Sequence, residues 1–278
     1  VQRKQYLFLG IALIAFAGLY FGGQMVNKNA SVNTTHEEHA TGAKEVQPLN
    51  IEDFIREQKL VLKPDSLRKV QGLESALVSE NSAVNNKNLA EFWQNQPNLP
   101  IAAHYYKKGA FLENTEKSLT FAGRLFLDYL LPKEERPEMR QWIAREAMAC
   151  FEKASELNPN NVDTKIALAT CYTDGTGETM KGVTLLREIT QQDSTNVPAN
   201  LILGKLAIQS GQWDRAIKRL KTVLSKDPNQ TEAMYHLAEA YKGNGETNKA
   251  VETLETFKRK MKDPELVQKI DEYIKTLK

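Results

Sequence analysis

Residues 211–262 read GQWDRAIKRLKTVLSKDPNQTEAMYHLAEAYKGNGETNKAVETLETFKRKMK, and the stretch states one pattern twice. Gly211-Gln212-Trp213-Asp214-Arg215-Ala216 returns 34 positions later as Gly245-Glu246-Thr247-Asn248-Lys249-Ala250. Leu220 and Leu254 follow those alanines by four, and Val223 and Phe257 by seven, which is the spacing of one helix face. Working upstream, Gly182 and Ala147 continue the series at intervals of 34 and 35, with Leu186 and Phe151 four residues on and Ile189 and Ala154 seven on. In the other half of the period, Leu168-Ala169, Leu203-Gly204 and Leu237-Ala238 hold a common phase, followed after three residues by Tyr172, Ala207 and Tyr241. Small residues recurring where two helices must approach, at a period near 34 and with no strand-like alternation, predict an all-α solenoid.

These units resemble tetratricopeptide repeats (TPR). The two Gly-x-x-x-x-Ala segments resemble the family's turn within a repeat. Leu157-Asn158-Pro159-Asn160 and Lys226-Asp227-Pro228-Asn229 resemble its turn between repeats, where proline pre-sets φ and a polar neighbour caps the next helix. Three units follow, 162–196, 197–230 and 231–262. The first departs by an extra residue around Asp174-Gly175-Thr176-Gly177, by Gly182 in place of alanine, and by Ser194 in place of proline. Residues 140–161 match the second helix of an earlier unit. Its first helix is expected over 116–131, across a long insert containing Pro132 and Pro137, so 101–161 is read as degenerate TPR-like helices. Ala102, Tyr106 and Gly109 have second-helix spacing.

Residues 51–100 read as divergent N-terminal helices. Pro64-Asp65-Ser66 opens one whose Leu67, Val70, Leu73, Ala76 and Leu77 share a face. Leu89, Phe92 and Trp93 open a short one that Pro97 and Pro100 interrupt. At the other end, Asp263-Pro264-Glu265 starts a helix over 263–278 with an apolar stripe of Leu266, Ile270, Tyr273, Ile274 and Leu277. It is the terminal cap that a solenoid requires.

The first 50 residues have another character. Tyr6–Val26 is predominantly apolar and uncharged, and as a helix it spans roughly 30 Å, the thickness of a bilayer's hydrocarbon core. Arg3 and Lys4 precede it, which places residues 1–26 as a cytoplasmic stub with a single transmembrane anchor and the rest outside a bacterial inner membrane, in the periplasm. The competing reading is a cleaved signal peptide, because Ala15-Phe16-Ala17 resembles a cleavage site. Residues 27–50, rich in Asn, Thr and Ala, form a polar linker. Its His36-Glu37-Glu38-His39 is one residue short of the H-E-x-x-H spacing that puts two histidines one helical turn apart.

The 37 basic and 35 acidic residues leave a net charge of +2, which excludes a polyanion-binding protein driven by bulk electrostatics, so no nucleic acid is expected. Cys150 and Cys171 show no C-x-x-C spacing. They are read as buried thiols, with a disulfide as the alternative. Asp174-Gly175-Thr176-Gly177 lacks the spacing of a phosphate loop, His104 and His236 stand apart from other ligands, and Lys258-Arg259-Lys260 reads as a solvated helix end. Neither an enzyme nor a cofactor or metal is expected. The resemblance instead implies binding of a protein partner in the concave groove lined by each unit's first helix. Carried over, its groove positions are Ile166, Thr170 and Thr173, then Leu201, Lys205 and Ile208, then Tyr235, Glu239 and Lys242. A carboxylate clamp is absent, so an apolar or amphipathic segment is the expected partner. The alternative is that the chain's own upstream helices bury some of these residues. The expected role is an anchored adaptor, a subunit of a membrane or envelope complex. The alternative is a periplasmic chaperone-like protein that binds clients, of the type that serves an export translocon or cytochrome c maturation.

Overall fold

The computed structural model of the protein describes residues 49–96, 98–133 and 136–278. The proposed span Tyr6–Val26 and nearly all of the linker lie outside them. Among the described residues no helix is long and apolar enough to cross a membrane. The last two linker residues belong to the fold. Leu49 packs against the core, and the Asn50 side chain accepts the N–H groups of Glu52 at 3.0 Å and Asp53 at 3.4 Å, capping α1.

Thirteen α-helices and no strand occur among the described residues: α1 Ile51–Leu60, α2 Pro64–Ser79, α3 Ala83–Asn95, α4 Leu99–Glu113, α5 Glu116–Lys133, α6 Pro137–Leu157, α7 Val162–Thr170, α8 Thr179–Gln192, α9 Val197–Gln209, α10 Trp213–Lys226, α11 Thr231–Gly243, α12 Thr247–Lys258 and α13 Pro264–Leu277. From α3 to α12 they pair as five consecutive hairpins, each stacked on the next, with α13 closing the stack against α12. Ala147, Ala216 and Ala250 are fully buried where paired helices meet, so the small-residue period reports the hairpin contact. Gly211 and Gly245 adopt φ of 68° and 77°, and the next residues close the helix ends, Gln212 N–H donating to the Ala207 carbonyl and Glu246 N–H to that of Tyr241, both at 2.8 Å. A side chain with a Cβ is strained in that conformation, which is why glycine opens the repeated motif.

Two sequence expectations change upstream. α3 begins at Ala83, capped by Ser82, and Pro100 sits in the first turn of α4 rather than breaking a helix, because a first-turn residue has no intrahelical N–H bond to lose. A division at 100/101 therefore falls inside α4. Leu89, Ala90 and Ala102 are all buried, and the 12 residues from Ala90 to Ala102 equal those from Gly204 to Ala216, so α3/α4 is a full repeat. The expected insert around Pro132 and Pro137 is not a long loop either. α5 runs through Pro132 to Lys133 and α6 starts at Pro137, so the extra residues lengthen both helices. The same residues separate Gly123 from Ala147 by 24 positions and hide the period. Gly123 keeps the repeat's close approach: a Cβ there would lie 2.8 Å from the Phe151 ring.

The extra residue of the 162–196 unit is absorbed as a π-helical turn, Cys171–Thr176, which continues α7. This turn explains the second departure of that unit. A Cβ on Gly182 would lie 2.6 Å from Thr173 Cγ2 and 2.7 Å from the Ala169 carbonyl oxygen, so alanine does not fit. Ser194 is explained by its neighbour. The Asp193 carboxylate accepts Thr195 N–H at 2.9 Å, and Asp227 accepts Asn229 N–H at 3.0 Å, so the same aspartate turn forms with or without proline. At the N-terminal end α1 and α2 bring Ile55 and Val70 against Leu89, Trp93 and Ile101, sealing the first hairpin.

Candidate partner-binding groove

The first helices α7, α9 and α11 carry the expected groove residues, except Thr173 on the π-helical turn after α7, and every one of them is half-buried. Ile166 packs against the cluster that contains Leu186, Ile189 and Leu203, and Thr170 spends its hydroxyl on the Ile166 carbonyl at 2.9 Å. Leu201 and Ile208 lean on the cluster around Leu220 and Leu237. Their apolar atoms are shared between the repeat interface and the surface. Lys205 reaches from α9 to Glu232 on α11 at 2.8 Å, and His236 Nε2 lies 3.8 Å from the same carboxylate. His236 and Lys205 together hold the Glu232 carboxyl well below its usual range, at about 2, against the opposing effect of its burial.

The third unit differs most from expectation. Tyr235 packs beside Phe257, with ring centroids 6.2 Å apart, and burial with nearby Glu239 raises its phenol pKa. Glu239 accepts the Tyr273 hydroxyl of α13 at 2.5 Å. Lys242 donates to the same hydroxyl at 2.9 Å and lies 4.9 Å from the centre of its ring. The chain does cover part of its own groove, but with the downstream helix α13, not with the upstream ones. Tyr273 was missed because it reads as part of an apolar stripe. A signal for it exists: Lys205, Glu239 and Tyr273 stand 34 residues apart, so α13 occupies the place of a further first helix.

Other candidates do not converge. Among the described residues no group of three or more His, Cys, Asp or Glu could hold a metal ion. Cys150 and Cys171 are free, fully buried thiols, each pushed up to about 12 by burial, which leaves almost no reactive thiolate. His104 packs between Tyr105 and Trp142, and burial with Lys108 and Lys107 holds it down to about 4, so the ring is neutral. Lys258 is neutralised by Asp271 at 2.6 Å and Glu255 at 2.7 Å. A hollow of about 470 Å³ beside α13, lined by residues such as Lys262, Val267 and Asp271, includes none of the groove residues.

Residues 177–230 and 207–270 match the tetratricopeptide repeat family model, and residues 144–161 match a second model of that repeat. Tetratricopeptide repeats lie within residues 177–270. A mouse relative, interferon-induced protein with tetratricopeptide repeats 3, is 27% identical over 110 residues, 39% of this chain and 27% of that protein. The match therefore spans about a quarter of that relative's length. Among solved structures, a TPR protein from Parabacteroides merdae is 15% identical, with a TM-score of 0.52 over 81% of this chain and 82% of that one. MamA of Desulfovibrio magneticus, from residue 41 onward, is 16% identical, with a TM-score of 0.50 over 65% and 97%. Both likenesses are of fold, a solenoid of stacked helical hairpins.

Proposed function

We propose that this protein is a membrane-anchored adaptor whose TPR stack holds a partner protein within a bacterial envelope complex. Tyr6–Val26 serves as the single span, residues 27–50 as the tether, and the repeats stand on the periplasmic side, as Arg3 and Lys4 before the span suggest. The observation that carries the binding site is the half-buried row Ile166, Leu201 and Ile208 on α7 and α9, where apolar atoms remain uncovered by α13. Thr170 and Lys205 border that row, and Tyr235 and Glu239 mark where α13 begins to close it. An amphipathic segment laid along the row meets apolar anchors at one repeat spacing and the Lys205–Glu232 pair at its edge.

Gentle detergent extraction of the full chain, followed by identification of what co-purifies, tests this reading. Fixed subunits in constant ratio support the adaptor, whereas a varied set of unfolded exported proteins refutes it. Leu201→Ala with Ile208→Ala should lower partner recovery at least ten-fold, as the loss of one or two interface anchors does, with helical content unchanged by circular dichroism. Full recovery by that variant moves the site off the row. Protease added to spheroplasts should digest the repeats, and a protected domain overturns the orientation.

A further inference from the structure

The net charge of +2 conceals a strong local segregation. α10 carries five basic residues, Arg215, Lys218, Arg219, Lys221 and Lys226, against the single acid Asp214, a surplus larger than that of the whole chain. Ala216, Leu220 and Val223 turn inward and are fully buried, so the remaining circumference is cationic, and Arg215, Lys218, Lys221 and Lys226 are exposed. None of these four makes an ion pair among the described residues. Neighbouring helices behave differently. On α12 Lys249 pairs with Glu246 and Lys258 with Glu255, and on α9 Lys205 pairs with Glu232 at 2.8 Å. Arg219 is fixed in the seam toward the preceding repeat, donating to the buried Asn200 side chain at 3.0 Å. Arg187 of α8 and Arg215 crowd it closely enough that, with burial, they lower its pKa.

We propose that the outward face of α10, with Arg187 beside it, binds the anionic headgroups of the bilayer that Tyr6–Val26 enters. Second helices of a TPR hairpin form the outer surface of the solenoid, away from the groove. This one presents charge over roughly 21 Å of helix with no exposed aromatic anchor, which suits a planar array of phosphates better than a peptide. The placement rests on the anchored reading. A tether of the composition of residues 27–48 has a typical end-to-end distance of roughly 26 Å, so it holds the domain beside the membrane at high effective concentration. Each Lys or Arg held at an anionic surface raises partitioning about five-fold, so a few contacts suffice once the domain is tethered. The bound orientation leaves the row on α7 and α9 facing away from the lipid.

The test uses the full chain in vesicles of phosphatidylcholine, with and without about one third phosphatidylglycerol. A donor dye is placed at Ser225→Cys, an exposed position on this face, and an acceptor dye on the lipid. The buried Cys150 and Cys171 do not compete for label. Energy transfer is expected to rise in the anionic vesicles and to fall as salt is raised from about 50 to about 500 mM. Arg215→Glu/Lys218→Glu/Lys221→Glu should return it to the neutral-vesicle level, a loss of more than about 100-fold in surface partitioning. Lys269→Glu on α13 should leave it unchanged. Equal transfer in the two lipid compositions, or no effect of the triple reversal, overturns the proposal. Preferential protection of the α10 lysines from acetylation by soluble polyglutamate rather than by anionic vesicles assigns the face to an acidic protein and also overturns it. Flotation with neutral vesicles scores the anchor separately. A chain that floats there but whose energy transfer does not depend on lipid charge keeps its anchor and loses this site. One that floats only with anionic vesicles loses the anchor and keeps the site.

Discussion

Gly182→Ala is the substitution that the repeat pattern recommends and the structure forbids. The equivalent positions in the next two repeats are Ala216 and Ala250, both fully buried, and alanine is favoured over glycine inside a helix by roughly 1 kcal/mol. Against that gain, the new methyl would sit 2.6 Å from Thr173 Cγ2 and 2.7 Å from the Ala169 carbonyl oxygen. Thr173 could rotate, but the carbonyl belongs to the backbone of α7 just before the π-helical turn, so α8 must move bodily. Overpacking of this kind costs about 1–3 kcal/mol. Less the propensity gain, the expected net effect is a loss of up to about 2 kcal/mol, read as a lower urea midpoint by circular dichroism. Removing the extra residue by deleting Gly175 should let α7 continue as an α-helix and relieve the close approach of Thr173 and the Ala169 carbonyl to position 182. Gly182→Ala should then cost less in the deleted chain than in the original, a coupling that a double-mutant cycle measures. A Gly182→Ala protein as stable as the parent refutes the link between the π turn and the missing methyl.

Ala216→Leu should overpack the α9/α10 contact by about 1–3 kcal/mol, and an unchanged melting temperature would contradict the helical phase assigned to the repeats. Acid should destabilise the fold in two windows. The His104 pKa lies near 4 in the fold against an ordinary 6.5, so the unfolded chain binds the extra proton and stability falls from about pH 6.5 to 4, by up to about 3 kcal/mol. Denaturant midpoints of His104→Phe should be flat across that window. Glu232, held at about 2, contributes stability present above about pH 4.5 and lost as pH falls toward 2, so Glu232→Gln should remove only the lower window. Both thiols should resist alkylation in the native protein and react together in denaturant, and a mass showing neither alkylated would contradict the free state of Cys150 and Cys171.

The repeats that the sequence displays most clearly are those whose turns need glycine. Gly211 and Gly245 must adopt positive φ, and each stands five residues before a buried alanine, so turn and contact announce one another. The α3/α4 hairpin obeys the same contact rule through Leu89-Ala90 and Ala102. However, Pro97 stands where glycine would stand, and the motif goes unrecognised. In α5/α6 the contact survives at Gly123 and Ala147, but added helical turns stretch their separation and defeat a search for a fixed period. For the groove, sequence phase finds which residues lie on the first helices. It does not find that Tyr273 reaches Glu239 and Lys242, because the stripe on α13 looks uniformly apolar.

Sequence by itself determined the helical solenoid and the small residues that recur at its hairpin contacts from Ala147 to Ala250. Those features repeat along the chain because each unit buries the same face against its neighbour, and periodicity records burial directly. Tertiary structure alone decided which surface groups already have partners. Lys205 is matched by Glu232 and Glu239 by Tyr273, while Lys218 and Lys221 on α10 form no ion pair among the described residues. Such pairing depends on side chains brought together across two helices some 30 residues apart, a relation that composition and spacing leave open because exposed positions are under no common packing constraint.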